Sequence, residues 1–203
     1  MSRVLSIIVV SLNEARHIAR LKASINRLSN PERIEIETIL IDGGSRDNTA
    51  GLAEQAGFTE VIRLSGALIP ACRNRGVREA RGDWLAFVDA DCELAEDWLE
   101  KATPFLEHPG PIIIGWPVSP PEPTTWVQAA WHYHWTRKNP RTELVNGQSV
   151  IKDQGFRLIT TRNMLLHRSA YDQIGGFDEA LSTGEDTDFV FRAYTQNIPA
   201  LGV

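Results

Sequence analysis

The first half of the chain alternates two hydrophobic spacings. Short, almost continuous apolar runs at Val4–Val10, Ile34–Ile41, Glu60–Leu64 and Trp84–Val88 read as strands, because a strand covered on both faces loses the polar alternation of a surface strand. Between them the period lengthens. Glu14–Leu28 places Ile18, Leu21, Ile25 and Leu28 on one side of a helix. Gly43-Gly44 permits a sharp turn after the second strand, and Ser45 or Asp47 can cap a helix running to about Ala56. Pro70–Ala80 is a third helix, closed by Gly82, and Leu94–Leu106 a fourth. Strand–helix alternation of this kind predicts an α/β fold, a mostly parallel sheet flanked by helices on both faces. Ligands of such sheets bind at the carboxyl ends of the strands.

The alternation then breaks. Six of the eleven prolines lie between Pro109 and Pro123, and four of the six tryptophans between Trp116 and Trp135. Ile112–Ile114 reads as one more strand, Thr124–Arg137 as a helix, and Pro140–Gly155 as a polar, mobile loop. Phe156–Leu166 reads as a strand or bent pair of strands, and Glu185–Gln196 as the final helix. The apolar residues from Ile198 to Val203 look like the start of another strand. The expectation is a single domain over 1–203, with a nucleotide-binding half at 1–107 and an acceptor and catalytic half at 108–203. The latter reads as a truncated core or an unusually short one.

Composition narrows the class. With 203 residues, 42% hydrophobic and 23% charged, the chain suits one soluble domain. A formal net charge of -5 without a basic patch argues against nucleic acid as a partner. Cys72 and Cys92 offer no disulfide framework and no zinc spacing, and no apolar run is long enough to span a membrane. The expected setting is cytoplasmic, or peripheral at the inner face of a membrane.

The sharpest chemical signal is Asp89-Ala90-Asp91, where the run Trp84–Val88 stops on two acids. In extended chain, residues i and i+2 point the same way. Two carboxylates so aimed repel unless a cation lies between them, and a hard divalent ion is the natural one. Asp42 ends the neighbouring predicted strand at the same edge. A polar loop that merely begins with acids is the bland alternative.

Five segments in order resemble family 2 glycosyltransferases. They are Ser6–Glu14, Asp42-Gly43-Gly44-Ser45-Arg46-Asp47-Asn48-Thr49, Cys72-Arg73-Asn74-Arg75-Gly76 leading into Asp89-Ala90-Asp91, Gly175-Gly176-Phe177-Asp178-Glu179, and Gly184-Glu185-Asp186-Thr187-Asp188. The resemblance implies a GT-A-type, Rossmann-like mixed sheet and an inverting enzyme. Its donor would be a nucleotide-diphosphate sugar, a UDP-sugar first among the candidates, with Mg2+ or Mn2+ as cofactor. The acceptor would be a glycan, a lipid-linked group or another hydroxyl compound.

The resemblance also distributes roles. Asp91 becomes the metal ligand, and Asp89 lies nearer the ribose or a metal-bound water. Asp42 can accept from a base N–H, and Arg73 can donate to a base carbonyl or phosphate. Ser11 and Glu14 line the first turn beside the nucleoside. Leu12 stands where an aromatic able to stack on the base is common in the family. Asp186 is the candidate general base, and a base acting directly on the acceptor implies single displacement with inversion. Acids also favour the first turn of any helix, although three after Gly184 exceed what capping requires.

His132 and His134, two residues apart on a helix, face different ways and do not share a metal. The nearby tryptophans are packing or a platform for an acceptor sugar, the cysteines small buried fillers, and Asn163 and Met164 a floor for the acceptor. Two enzyme classes fit worse. The turn after Val10, Ser11-Leu12-Asn13-Glu14, lacks both the Gly-rich loop of a sugar-nucleotide pyrophosphorylase and the Gly-x-Gly-x-x-Gly of a dinucleotide oxidoreductase. A nucleotide-sugar binding module without catalysis is the non-enzyme alternative.

Overall fold

A computed structural model describes residues 4–121, 123–137, 142–145, 148–151 and 159–202. The first half follows the hydrophobic pattern closely. Strands β1 (Val4–Ser11), β2 (Glu35–Asp42), β3 (Glu60–Arg63) and β4 (Trp84–Asp89) pair in parallel in the order β3-β2-β1-β4. Helices α1 (Ala15–Asn26), α2 (Thr49–Ala56) and α3 (Ile69–Glu79) connect them. The strand order reverses beside β1, so a crevice opens at the carboxyl ends of β1 and β4, the place where such sheets take ligands.

The rest of the chain extends this sheet past β4. Beyond the fourth helix α4 (Trp98–Ala102) come β5 (Ile113–Gly115), α5 (Trp126–Arg137), β6 (Thr142–Val145), β7 (Gln148–Ile151), β8 (Asn163–His167), α6 (Arg168–Ile174), α7 (Glu185–Thr195) and β9 (Ala200–Gly202). Among the described residues the sheet has nine strands, continuing β4-β8-β5-β9-β7-β6. Strand β8 runs antiparallel to both β4 and β5, β9 parallel to β5, and β7 antiparallel to β6 and β9. The sheet is therefore mixed, and its parallel half meets the second half through the β4–β8 pair.

Two cores cover the two faces, and strand alternation decides which residue joins which. Leu5, Ile7 and Val9 of β1, with Trp84, Ala86 and Val88 of β4, pack against Ile18, Leu21 and Ile25 of α1 and Leu99 of α4. Ile8, Leu85 and Phe87 face the other way, onto Cys72 and Val77 of α3, Ile174 of α6 and Phe189 and Val190 of α7. Helix α3 lies so close that a Cβ on Gly76 would come within 2.4 Å of Ile8 Cγ2. Away from the crevice, Glu37 is buried and accepts from Ser6 Oγ at 2.5 Å, Arg81 N at 2.6 Å and Arg81 Nε at 2.8 Å. Arg168 closes the end of α3, donating to the carbonyls of Val77, Ala80 and Gly82.

Three expectations change. The predicted helix Leu94–Leu106 shrinks to Trp98–Ala102 followed by a 3-10 turn, Thr103–Phe105. Its first residues are held elsewhere, since Leu94 N–H donates to Ser24 Oγ and Glu96 C=O accepts from Ser29 N–H. Pro104 has no N–H to continue an α-helix. The predicted loop Pro140–Gly155 contains the β6–β7 hairpin, with Val145 paired to Gln148; Asn146-Gly147, a strong hairpin signal, separates these strands in the sequence. The remaining residues of that stretch, and 156–158 of the strand expected at Phe156–Leu166, lie outside the described residues. Helix α6 was not anticipated, whereas the strand expected after Ile198 is present as β9.

Candidate active site

The turns at the crevice are tied to one another. Asn13, at a φ of +59°, accepts from Arg46 N at 2.8 Å, and its own N–H donates to Ser45 Oγ at 2.8 Å. Thr49 Oγ1 accepts from Glu14 N at 2.9 Å, and Asp47 accepts from Ala15 N at 3.2 Å and from the Thr49 hydroxyl. The Thr49 hydroxyl and these backbone N–H groups hold the Asp47 carboxyl below its ordinary range. The β1–α1 and β2–α2 turns thus form one unit.

Within it, Asp42 is nearly fully buried, and its Oδ1 accepts from Ser45 N at 3.0 Å and from the Ser45 hydroxyl. Its Oδ2 takes no hydrogen bond among the described residues. Ser11 pairs in register with Asp42, but its side chain is buried and Oγ has no hydrogen-bond partner among the described residues. Glu14 turns back along α1 to His17, with 2.5 Å from Oε2 to Nδ1. Leu12 is exposed at this turn.

Asp89 ends β4 beside Val10. The chain then turns, closed by Cys92 N–H donating to Asp89 C=O at 3.0 Å. Asp91 is therefore on a turn, and strand alternation is not what aims it. The two carboxylates are nonetheless close enough for Asp91 to act on Asp89. Burial pushes the Asp89 carboxyl up; Arg73 opposes, Asp91 adds, Arg162 opposes and Asp186 adds. Asp186, far off in sequence, is near enough for its charge to act on Asp89.

Arg73 lies inside the protein, differing from the expected cleft-surface donor. Its side chain is 7% exposed, ion-paired to Glu185, and its Nη2 lies 3.8 Å from Asp89 Oδ1. The guanidinium also lies over the Phe177 ring, 5.6 Å from its centroid. Its neighbour Asn74 is a second tie. Asn74 Nδ2 donates to Phe177 C=O at 2.9 Å and Glu179 Oε1 at 2.8 Å, while Oδ1 accepts from Phe177 N and the Tyr171 hydroxyl. Arg73 and Asn74 together fasten α3 to the segment that carries Asp186.

That fastening separates the three acids at the start of α7. Glu185 faces Arg73, and Asp188 pairs with Arg192, Oδ2 to Nε 2.8 Å. Asp186 accepts only from Thr187 among the described residues and is left on the Asp89 side.

Several secondary expectations find their places. Cys72 is buried, and burial raises its thiol pKa; burial with Asp89 and Asp91 pushes that of Cys92 to about 12, so both are poor nucleophiles. Met164 lies in the core, and Asn163 Oδ1 accepts from Trp98 Nε1 at 2.9 Å. Trp116 packs on Trp98 and Phe105, whereas Trp126 is 82% exposed. His132 belongs to α5, and the side chain of His134 lies outside the described residues. Arg162, exposed beside Asp89, was not singled out in the sequence. The signal was its position immediately before the strand that pairs with β4.

Among the described residues no cluster of three or more His, Cys, Asp or Glu side chains could hold a metal ion. Asp89 and Asp91 supply a donor set of two carboxylates. That suits Mg2+ or Mn2+, hard ions that take one or two carboxylates and complete their shell with substrate phosphates and water. No helix among the described residues is long and apolar enough to cross a membrane.

The comparisons with known proteins agree with this geometry. In sequence the chain is 26% identical over 195 residues to Glycosyltransferase AglE of Haloferax volcanii, covering 93% of this chain and 60% of AglE. It is 35% identical over 118 residues to a PGL/p-HBAD biosynthesis glycosyltransferase of Mycobacterium tuberculosis, covering 54% of this chain and 45% of that protein. In fold, S. aureus TarS 1-349 in complex with UDP-GlcNAc superposes with a TM-score of 0.73 at 20% identity, covering all of this chain and 56% of that one. The mannosyltransferase PcManGT from Pyrobaculum calidifontis, in complex with GDP-Man and Mn2+, gives 0.73 at 17% identity, with 100% and 55% coverage. The chain thus spans about 60% of AglE and just over half of these structures. The profile of Glycosyl transferase family 2 matches residues 6–175, and the chain belongs to that family.

Proposed function

We propose that this protein transfers a sugar from a nucleotide-diphosphate donor, a UDP-sugar first, to an acceptor hydroxyl by single displacement with inversion. The reading is supported by Asp89 at the end of β4, with Asp91 and Asp186 near enough to act on its charge, while Glu185 and Asp188 are held by Arg73 and Arg192. Relatives of the fold support the donor class, since TarS is in complex with UDP-GlcNAc and PcManGT with GDP-Man and Mn2+.

Each residue then has a chemical task. Asp42 accepts from the base through Oδ2, and the tied turns carrying Ser11 and Glu14 wall the nucleoside. Asp91, with Asp89, would hold a divalent cation, which supplies Lewis-acid neutralisation of the diphosphate. Asp186 takes the proton of the acceptor hydroxyl. The acceptor oxygen bonds to the anomeric carbon as the carbon–phosphate-oxygen bond breaks, and that electron pair leaves with the nucleoside diphosphate.

The test is a thermal-shift panel of UDP, GDP, CDP and dTDP, each with and without Mn2+, followed by transfer assays with the sugar donor of the best binder. One nucleotide should raise the melting temperature more with Mn2+ than without it, by mass action on a preformed site. Asp91→Asn should lose the metal-dependent part. Asp186→Asn should keep the nucleotide shift and lower turnover by roughly 10²–10⁴-fold, the usual contribution of a positioned base. A full metal-dependent shift in Asp91→Asn, or undiminished turnover in Asp186→Asn, would overturn the assignment.

A further inference from the structure

Arg162 stands at the crevice and has no role in the reaction as described so far. Its position follows from the pairing of β8 with β4. The antiparallel register sets Val88 opposite Asn163 and Phe87 opposite Met164. Arg162 immediately precedes Asn163 and Asp89 immediately follows Val88, so the two adjoin at the end of this pair. Residues directly opposite in a sheet share a face. Met164 and Leu166 belong to the α3–α7 core together with Phe87, so the even positions of β8 face that side. Arg162 lies on the turn just before β8, beside the end of β4 that carries Asp89, and its charge acts on both Asp89 and Cys92.

The turn that carries Arg162 is held from several sides. Asn163 N donates to Thr160 C=O at 3.3 Å, Asn163 C=O accepts from Trp116 N at 3.2 Å, and the Asn163 side chain is fixed by Trp98. Thr161 is buried. Arg162 itself is exposed, and its only hydrogen bond among the described residues runs from Nε to Thr160 Oγ1 at 3.3 Å. Two other cations near Asp89 and Asp91 are occupied. Arg73 is buried against Glu185, and Arg20 is spent on Glu93 at 2.9 Å and the Asp91 carbonyl at 3.2 Å.

We propose that Arg162 is a diphosphate-binding residue, its guanidinium engaging the terminal phosphate of the donor and of the nucleoside diphosphate leaving group opposite Asp89. This rests on the nucleotide-sugar reading and adds to it a contact made by the protein itself. A planar fork of N–H donors suits phosphate oxygens. The contact would strengthen as negative charge grows on the departing diphosphate.

The experiment compares a nucleoside diphosphate with the matching monophosphate. Melting shifts and calorimetric affinities are measured for UMP and UDP, or the pair chosen by the nucleotide panel, with Mn2+, on wild type, Arg162→Gln and Arg162→Lys. Because Arg162 is exposed, all three should melt alike without ligand. Arg162→Gln should weaken the diphosphate by ~10- to 150-fold, the range for lost hydrogen bonds to a charged group, and leave the monophosphate within about two-fold. Arg162→Lys, with the charge but not the fork, should fall between. Equal weakening of both nucleotides, unchanged diphosphate affinity, or an effect confined to the KM of the acceptor would each overturn the proposal. If no nucleotide stabilises even the wild type, the donor reading itself falls and takes this proposal with it.

Discussion

Replacing Arg73 by Met tests whether the interior ion pair holds the catalytic edge together. Arg73 and Glu185 are 7% and 10% exposed, so each charge depends on the other. Removing one partner of a buried pair costs about 3–5 kcal/mol, because the remaining charge stays in a poorly solvated place. In a chain of this size 1 kcal/mol moves the melting temperature by about 2–4 °C. Arg73→Met should therefore melt ~6–20 °C below wild type. Arg73→Met/Glu185→Met removes both charges and should recover most of that loss, since an apolar pair of similar volume often matches a buried ion pair. The assay is a double-mutant cycle followed by circular dichroism on heating. A surface pair would weaken with added salt, and this one should not. Activity should part from stability: the double variant refolds the region yet keeps reduced turnover, because Asp89 has lost its neighbouring cation and α7 its tie to α3. A single variant melting within about 2 °C of wild type, or a double variant as unstable as the sum of the singles, would refute a buried, mutually dependent pair.

Two further outcomes concern the framework. Burial raises the Glu37 pKa, but hydrogen bonds from Ser6 and from the side chain and backbone of Arg81, with the charge of Arg81, outweigh it and leave the carboxyl below its ordinary 4.5. A lowered folded pKa gives stability that is fully present above the unfolded value and lost as pH falls through the folded one. Glu37→Gln should thus melt ~4–8 °C below wild type at pH 7, for a loss of about 2 kcal/mol, with Arg81 too exposed to raise it further. That gap should close as melts are recorded from pH 4.5 downward, and a gap that persists there would exclude the linkage. Gly76→Ala should lower the melting temperature by ~2–12 °C, because the new methyl meets Ile8 Cγ2 at 2.4 Å and overpacking costs about 1–3 kcal/mol. A rise, as on a free helix surface, would show that α3 is not pressed onto β1.

The parallel half was legible because each buried strand announces itself as an apolar run, and because Asp42 and Asp89 end two of them. What the sequence hid was partnership at long range. Arg73 reads as a donor to a base carbonyl or phosphate until Glu185, 112 residues away, is seen against it. Asn74 reads as a polar motif residue until the Phe177 backbone occupies both ends of its amide. Local spacing carries no trace of such contacts. The β6–β7 hairpin is a different failure: Asn146-Gly147 signalled it, and the polarity of the surrounding stretch outweighed that signal. The α4 segment failed for a third reason, since its apolar spacing suits a helix but its first backbone groups bond to α1 and the loop after it.

The convergence at the crevice depends on parity as much as on chemistry. Asp89 lies an even number of residues from Leu85 and Phe87, whose side chains face α3 and α7, so its carboxylate meets Arg73 and Asp186. A register shift of one residue would carry it to the α1–α4 face, away from both. The antiparallel pairing of β8 with β4 brings Arg162, on the turn before β8, to the end of β4 that carries Asp89. On the proposed reading, a net-acidic chain would receive an anionic donor at an acidic edge without a basic patch. One cation, Arg73, is sealed inside to hold the acids in place, and another, Arg162, is left outside beside the end of β4 to meet the phosphate.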